Sequence, residues 1–356
     1  MNETPQMQIE TKNRSRAERK IQKSLLPPVI VCMCVLLAAL IAFYVFLLIY
    51  NKYTFKYTPS EDGVSCTITS IEKRAIAPAV YFPSKLSVPE SIDGLKVTAI
   101  GNNAAKGEEK LKKLSVPAGV VYIGEEAFAS CNRLKTVTLP SGLAVIGAGA
   151  FKDCIALEKA EFGEGMDHIE KSAFEGCTKL AAVALPQSLI SLGERAFYGC
   201  GGLSEIAFSA SLASIGAEAF WACASLSEIE LPQSLENIGE YAFWGCSALE
   251  SASLGGAKTI GTSAFRLCTS LKSITLPESV AYMEAKTFAG CTSLETVRVP
   301  RGLRGIGERS FENCEKLTNI TYGGTKAEWA NLGLEVYWNI NSSLASVTCT
   351  DGEITF

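Results

Sequence analysis

The segment Tyr122-Ile-Gly-Glu-Glu-Ala-Phe-Ala-Ser-Cys131 decides the fold, because it recurs with substitutions as far as Gly305-Ile-Gly-Glu-Arg-Ser-Phe-Glu-Asn-Cys314. Each unit has an apolar lead residue, a phenylalanine five residues later, a cysteine eight residues later and a leucine three residues after the cysteine. The nine phenylalanines are Phe128, Phe151, Phe174, Phe197, Phe220, Phe243, Phe265, Phe288 and Phe311. Self-similarity at a fixed period is typical of a repeat solenoid. One unit has too little apolar surface to fold alone, so we expect the units to stack around one continuous core.

The period of the repeat is 23 residues at every step but one. The lead residues are Ile123, Ile146, Ile169, Leu192, Ile215, Ile238, Ile260, Met283 and Ile306. The step from Ile238 to Ile260 has only 22 residues, and the missing residue falls in Gly255-Gly256-Ala257-Lys258. We expect a local dent in the stack there, with the two glycines absorbing the altered turn.

The pattern within one unit predicts two short elements. The segment Leu134-x-x-Val137-x-Leu139-Pro140 predicts a short buried strand that ends at the proline, which has no N–H to donate. The stretch from Gly124 to Cys131 is too short for a long helix but suits one tight helical turn. The sequence therefore predicts an α/β solenoid with one strand and one helical turn in each unit.

Composition and repeat phase divide the chain into five parts. Residues 29–50 form a run of 22 uncharged, mostly apolar residues, and about 20 such residues suffice for a helix to cross a membrane. No small-residue cleavage site follows this run, which favours an uncleaved anchor over a signal peptide. The predicted parts are a basic cytoplasmic tail (1–28), a transmembrane signal-anchor helix (29–50), a β-rich N-terminal cap (51–99), the repeats (100–322) and a C-terminal cap (323–356).

The distribution of charge predicts orientation and excludes one class of partner. Six basic residues precede the apolar run, against Lys52 and Lys56 just after it. The positive-inside rule then places the N-terminus in the cytoplasm and the repeats outside the cell. From Val29 onward 27 basic residues face 34 acidic ones, so the solenoid offers no attraction to nucleic-acid phosphates. We therefore expect no nucleic-acid partner, whereas the basic tail is expected to touch anionic lipid.

The repeat unit resembles that of the BspA-like class of bacterial leucine-rich repeat proteins, which reads approximately I-G-x-x-A-F-x-x-C-x-x-L-x-x-I-x-L-P. The segment Val88–Val97 is similar to that family's usual first turn, and Tyr322–Trp329 with Val347–Gly352 is similar to its usual C-terminal segment. The resemblance implies a right-handed leucine-rich repeat solenoid with a parallel β-sheet on its concave side. It also implies display at the cell surface and adhesion to proteins of a host matrix or of a neighbouring cell.

Signals of enzymatic chemistry are missing from the sequence. His168 is the only histidine, which rules out sites with several histidine ligands and leaves little for a Ser–His or Cys–His pair. The segment Ile146-Gly-Ala-Gly-Ala-Phe151 is the start of a repeat and not a dinucleotide-binding fingerprint. We therefore predict a protein that is not an enzyme and that needs no metal or other cofactor.

The cysteines of the repeat suggest a disulfide or metal array, but the geometry of a solenoid disfavours both. Identical positions on successive turns point the same way, so neighbouring cysteines approach without the dihedral angle that a disulfide requires. Zinc needs four ligands that converge on one point, whereas a ladder supplies a line. Buried free thiols are therefore favoured. Cys66 and Cys349 lie in opposite predicted caps, too far apart to pair within one molecule.

Two surfaces are candidates for binding. The first is the outward side of the strands on the predicted concave face, which is locally acidic at Glu205, Glu228 and Glu230. Such a face can be a plain solvated sheet or a protein-docking surface, as in many solenoids. Both interpretations stay open.

The second candidate is a stripe on the other side, formed by the residue after each ladder phenylalanine. Successive units place Tyr198, Trp221, Trp244 and Arg266 there. Aromatic residues with arginine are typical of interface hot spots, and the alternative is that the rings only pack on one another. The main functional hypothesis is a membrane-anchored cell-surface module for protein binding or adhesion. The alternative is an envelope scaffold that organises partner membrane proteins and has no external ligand.

Overall fold

A computed structural model of the chain describes residues 36, 37, 40, 41, 53–73 and 84–356. Contacts divide the chain into two units, Met1–Lys52 with Lys73–Tyr81, and Tyr53–Glu72 with Phe82–Phe356. The described residues of the first unit's N-terminal part, at 36, 37, 40 and 41, are helical and exposed. The second unit is a β-solenoid of about eleven turns.

The solenoid is built from short strands, numbered here in chain order. The first thirteen are β1 (Tyr53–Pro59), β2 (Ser65–Lys73), β3 (Lys85–Ser87), β4 (Ser91–Ile92), β5 (Leu95–Ile100), β6 (Lys113–Ser115), β7 (Tyr122–Ile123), β8 (Thr136–Thr138), β9 (Val145–Ile146), β10 (Lys159–Glu161), β11 (His168–Ile169), β12 (Ala182–Ala184) and β13 (Ser191–Leu192). The others are β14 (Glu205–Ala207), β15 (Ser214–Ile215), β16 (Glu228–Glu230), β17 (Asn237–Ile238), β18 (Ser251–Ser253), β19 (Thr259–Ile260), β20 (Ser273–Thr275), β21 (Tyr282–Met283), β22 (Thr296–Val299), β23 (Gly305–Ile306), β24 (Asn319–Tyr322), β25 (Gly333–Leu334), β26 (Ser346–Cys349) and β27 (Gly352–Thr355).

Each regular turn contributes one strand to each of two sheet faces. The first face carries the lead residues and runs β1-β2-β5-β7-β9-β11-β13-β15-β17-β19, with β4 beside β5, and then β21-β23-β25. The second face runs β3-β6-β8-β10-β12-β14, then β16-β18, then β20-β22-β24-β26-β27. Neighbouring turns pair in parallel with equivalent residues opposite one another, as Ile123 is to Ile146 and Val137 is to Ala160. This register puts every repeat position into a straight column along the stack.

The third side of each turn is where the α/β prediction is wrong. The stretch from the lead residue to the cysteine is a tight turn that contains no helix. Two residues in it have left-handed backbone, with φ between 51° and 74°. The first, three residues after the lead residue, is Glu126, Gly149, Ser172, Arg195, Glu218, Tyr241, Ser263, Lys286 and Arg309 in order. The second, seven residues after it, is Ser130, Asp153, Gly176, Gly199, Ala222, Gly245, Leu267, Gly290 and Asn313.

The hydrogen bonds explain why this stretch cannot be a helix. The Phe128 N–H donates to the Ala150 carbonyl of the next turn at 2.8 Å, whereas the N–H of Ala129 donates back to Glu126. Alternate amides thus bond between turns, and this alternation is incompatible with the i to i−4 bonds of an α-helix. Among the described residues of the solenoid, the one α-helix is Lys326–Ala330, which has a capping box between Thr325 and Glu328.

The predicted transmembrane helix is also without support. Residues 29–50 lie outside the described residues except for Leu36, Leu37, Leu40 and Ile41. In the part of the chain that the structure describes, no helix has the length and apolar character needed to cross a membrane. The fold class is therefore corrected from an α/β solenoid behind a transmembrane helix to a β-solenoid.

The nine ladder phenylalanines form the centre of the core. All of them are fully buried, and neighbouring rings stack at centroid distances of 5.2–5.8 Å with interplanar angles of 4–14°. Burying one such side chain contributes about 1.5–3 kcal/mol. The column of rings runs through nine successive turns, and it keeps the turns evenly spaced on this side.

The second face is interrupted twice, between β14 and β16 and between β18 and β20, and the first face once, between β19 and β21. The breaks after β18 and β19 lie beside the 22-residue step. There Gly255 has φ +56°, and a Cβ on it would lie 2.1 Å from the Pro232 carbonyl oxygen, while a Cβ on Gly256 would lie 2.2 Å from the Gln233 oxygen. The shortened turn thus approaches its neighbour so closely that only glycine fits, in agreement with the predicted dent.

Removal of a central ring is expected to lower stability strongly. Phe220→Ala should reduce the free energy of unfolding by about 3–5 kcal/mol, because it leaves a cavity between two stacked neighbours. Chemical denaturation of the full-length chain measures this. The control is Phe356→Ala at an exposed ring, for which a change below about 0.5 kcal/mol is expected. Equal effects of the two substitutions would contradict a core held by the stack.

Candidate functional site

The ladder cysteines are free thiols that bond to the backbone of the preceding turn. The Cys154 Sγ donates to the Phe128 carbonyl oxygen at 3.2 Å, and the following cysteines repeat this bond at 3.2–3.3 Å. The same carbonyl accepts the N–H of Cys131 in its own turn. Each thiol therefore links two turns through a shared backbone acceptor, which gives the cysteine column a structural role.

Burial also makes these thiols poor nucleophiles. It raises the pKa of Cys200, Cys246 and Cys314 to about 12. A thiol acts as a nucleophile or a metal ligand in its thiolate form, which is strongly disfavoured here. Within the described residues no group of three or more His, Cys, Asp or Glu side chains is placed to hold a metal ion.

His168 lies in the two-residue strand β11 with its side chain exposed. Its Nδ1 is 2.9 Å from an Asp167 carboxylate oxygen, and this hydrogen bond lowers the pKa of Asp167. Both side chains are about half exposed. The pair thus sits in water on the first face, apart from the buried cysteine column.

The predicted aromatic stripe is a compact cluster on the turn side of the solenoid. Trp221 stacks on Tyr198 with ring centroids 5.8 Å apart and on Trp244 at 4.4 Å. Tyr241 packs against both tryptophans, at 5.6 Å and 5.2 Å. We call these four rings, together with Arg266, the aromatic patch. Straight columns bring these residues together because the turns repeat in register.

An arginine covers each end of the row of rings. The Arg195 guanidinium lies 5.2 Å from the Tyr198 ring centroid, and the Arg266 guanidinium lies 4.6 Å from the Trp244 ring centroid. Arg195 also bonds to Glu218 at 2.8 Å. Among the described residues Arg266 has no ion-pair partner, so its charge is available to a ligand.

The backbone under the patch is strained. Tyr241, Ala222 and Leu267 have φ of 56°, 56° and 61°, and a non-glycine residue in the left-handed region costs on the order of 1 kcal/mol. Leu267, beside Arg266, keeps 40% of its surface exposed. The same two left-handed positions recur in every unit, so the repeat and not the patch requires this backbone conformation. Leu267 therefore exposes apolar surface to water and has an unfavourable backbone conformation.

The structure adds two observations about the stripe. Tyr198, Trp221 and Trp244 are half-buried, because their faces cover one another. Tyr241 and Leu267 belong to the same surface but were not predicted. The signal for Tyr241 was in the sequence, since the residue three after each lead residue shares this side of the turn with the residue six after it. Whether the patch binds a partner stays a prediction.

The three predicted acidic residues lie on the second face, so they do not join the aromatic patch. Glu205 is on β14, and Glu228 and Glu230 are on β16, all exposed. The structure brings them to the walls of one cleft of about 670 Å³, which opens where the sheet is interrupted. Phe208 and Ile206 provide the apolar part of its lining.

The raised thiol pKa values predict a loss of stability in alkali. In the unfolded chain a cysteine titrates near pH 8.5, but Cys246 stays protonated up to about 12 in the fold. The contribution of the protonated Cys246 thiol to the free energy of unfolding is therefore complete below about pH 8.5 and is lost as the pH rises towards 12. Between pH 9 and 11, Cys246→Ala should make the fall in unfolding free energy shallower by about 1.4 kcal/mol per pH unit.

Denaturation midpoints across this pH range measure the slope. The matched control is Leu249→Ala, a cavity in the same core that has no titrating group, and its slope should equal that of the unchanged protein. Parallel slopes for all three proteins would contradict a buried, protonated thiol.

Comparison with known proteins gives the family. A family model described as a BspA type leucine rich repeat region matches residues 98–227 and 213–342. A search of curated proteins found no match. Similar solved structures include a leucine-rich repeat protein from Bacteroides ovatus (22% identity, 81% of this chain and 97% of that chain covered, TM-score 0.42). A second is a leucine rich repeat protein of T. pallidum (27% identity, 61% of this chain and 87% of that chain covered, TM-score 0.45). A third is a leucine rich cell surface protein of Faecalibacterium prausnitzii (24% identity, 79% of this chain and 96% of that chain covered, TM-score 0.41). Because the family model matches more than half of the chain, the protein belongs to the BspA-type leucine-rich repeat family.

Proposed function

We propose that this protein is a non-enzymatic, surface-displayed module that binds another protein through the aromatic patch. The observation that carries the proposal is the row of Tyr198, Trp221 and Trp244 that ends at the unpaired cation of Arg266. Tryptophan, tyrosine and arginine are the residue types most enriched in interface hot spots.

The geometry of the row favours one mode of contact. The ring faces stack on one another, and the outer face of Trp244 is covered by Arg266. A partner therefore meets ring edges, the exposed Leu267 side chain and a guanidinium, and not a free aromatic face. Edges of aromatic rings carry partial positive charge. This combination suits a protein surface that offers apolar side chains next to carbonyl or carboxylate oxygens.

Rigidity strengthens the proposal. Mutual stacking already restricts the rings in the free protein, so little side-chain entropy remains to be lost on binding. A surface that is ordered before the partner arrives needs fewer contacts to reach a given affinity.

Surface display and adhesion are supported by the family and not by a contact in this structure. One similar structure is described as a leucine rich cell surface protein and another as a pneumococcal vaccine antigen. We carry that location over as part of the proposal. We expect the partner to be a protein of a host matrix or of a neighbouring cell.

The test is a binding assay of the full-length chain on immobilised extracellular-matrix proteins and on intact cells. Trp221→Ser with Trp244→Ser should weaken binding at least tenfold, because it removes the centre of the row. Arg266→Glu is the second variant, since it reverses the charge and leaves the stacked rings in place. It should also weaken binding at least tenfold.

The matched control is Tyr122→Ser, at an exposed tyrosine on the first face, which should bind as the unchanged protein does. Thermal unfolding confirms that each variant is folded. Unchanged binding by both patch variants would contradict the proposal. If the unchanged protein binds none of the matrix proteins or cells, the scaffold without an external ligand is favoured instead.

A further inference from the structure

The cleft beside β14 and β16 is a break in an otherwise regular backbone ladder. In a regular turn the Ser204 N–H donates to the Ala181 carbonyl at 2.9 Å, and the Glu250 N–H donates to Ser227 at 2.8 Å. Within the described turns around residues 204–231, the equivalent bond from the Ser227 N–H to Ser204 is missing, and no strand pairing joins β14 to β16. Two strand edges therefore face the cleft with unused backbone donors and acceptors.

A phenylalanine at a leucine position explains the opening. Regular turns have leucine directly after the second-face strand, as at Leu185 and Leu231, but Phe208 occupies this place after β14. Its ring packs edge-on against the ladder ring of Phe220 at 5.8 Å. Because the ladder fixes the turn spacing on the other side, the larger ring acts as a wedge on this one.

The same substitution earlier in the chain has a smaller effect of the same kind. Phe162 follows β10 and packs edge-on against Phe174 at 5.6 Å. There the pairing of β10 with β12 is reduced to the single pair of Lys159 and Ala182. At Phe208 the pairing with the next turn is lost altogether.

Charge also distinguishes the two sites, because the first wedge has Lys159 opposite Ala182. Glu205 and Glu228 occupy equivalent positions on neighbouring turns, and like charges directly opposite each other destabilise a sheet. Glu158 and Glu161 on the same face are neutralised by Lys135 and Lys159. In the described structure the three glutamates of the cleft have no basic partner, and Glu228 accepts only the Ser251 hydroxyl hydrogen bond. The cleft therefore lacks cations on its own walls.

The geometry points to an extended basic peptide segment of a partner protein as the occupant of this cleft. Glu228 and Glu230 are two residues apart on one strand, a separation of about 6.6 Å. Lysine or arginine at alternate positions of an extended chain has the same spacing. Glu228 and Glu230 follow one strand, and within the described residues no three carboxylates are placed to hold a metal ion, which suits such a chain better than a metal ion.

The remaining features of the cleft fit the same occupant. Its volume of about 670 Å³ is enough for several residues of an extended chain, and Phe208 offers an apolar contact between the carboxylates. A bound cation would also relieve the repulsion between Glu205 and Glu228. This site lies on the second face, so it is independent of the aromatic patch.

The test uses a fluorescein-labelled peptide, Thr-Lys-Val-Lys-Thr-Lys-Val-Lys-Thr, and the full-length chain in a fluorescence anisotropy titration. The comparison peptide has the same composition with its four lysines contiguous. We expect the alternating peptide to bind at least tenfold more tightly than the comparison peptide. Glu228→Gln with Glu230→Gln should weaken binding of the alternating peptide at least tenfold.

Phe208→Leu tests whether the peptide binds to the cleft itself or only to an acidic surface. It restores the leucine of regular turns and keeps all three glutamates, so it should close the break and weaken binding at least tenfold. The matched control is Phe162→Leu, the same substitution at the earlier wedge, which should leave affinity unchanged. Thermal unfolding reports whether each variant folds, and both leucine variants are expected to be at least as stable as the unchanged protein.

Several outcomes would overturn the inference. Equal affinity for the two peptides, or full binding by Phe208→Leu, would mean that only diffuse charge attracts lysine. Displacement of the peptide by millimolar calcium at constant ionic strength would assign the carboxylates to a cation instead. Absence of binding by the alternating peptide would remove the basic segment as occupant, and it would leave the aromatic patch unaffected.

Discussion

The stacking of nine phenylalanine rings at 5.2–5.8 Å sets the distance between successive turns, and the rest of the solenoid adapts to it. Backbone bonds on the same side reinforce this spacing, because alternate amides of each tight turn donate to the next turn. The cysteine thiols add a third contact, to the carbonyl of the preceding phenylalanine residue. Packing and hydrogen bonding thus specify one spacing, which is why equivalent residues line up in columns. The aromatic patch is a direct result, since a column places neighbouring rings within stacking distance.

The two sheet faces are where the stack tolerates departure from regularity. A turn that is one residue short is absorbed beside Gly255 and Gly256, and the wedge of Phe208 opens a cleft between two strands. Neither change disturbs the ring column, whose spacing continues through Phe220, Phe243 and Phe265. A rigid side and a tolerant side allow a repeat protein to acquire individual sites without losing its fold.

The sequence was sufficient to predict the repeat register, the buried phenylalanine and leucine columns and the place of the shortened turn, because each follows from periodicity. It was not sufficient to predict the tight turns. Their left-handed positions are held by residues as different as Glu126, Gly149 and Tyr241, so no glycine pattern marks them. The helical interpretation was wrong for that reason. The cleft was also missed. Its cause is a phenylalanine in place of leucine at position 208, and in the sequence alone this looks like an ordinary exchange of one apolar residue for another.

Residue-resolved hydrogen exchange of the backbone amides tests this account most directly. The amides of Phe220 and Phe243, which donate to the next turn, should be among the slowest to exchange. The Ser227 amide at the cleft should exchange far faster than its column neighbours at Ser204 and Glu250, although Ser204 and Ser227 are both exposed. Slow exchange at Ser227, equal to that at Ser204, would mean that the ladder is continuous. Fast exchange at Phe220 would contradict the ring column as the fixed side of the solenoid.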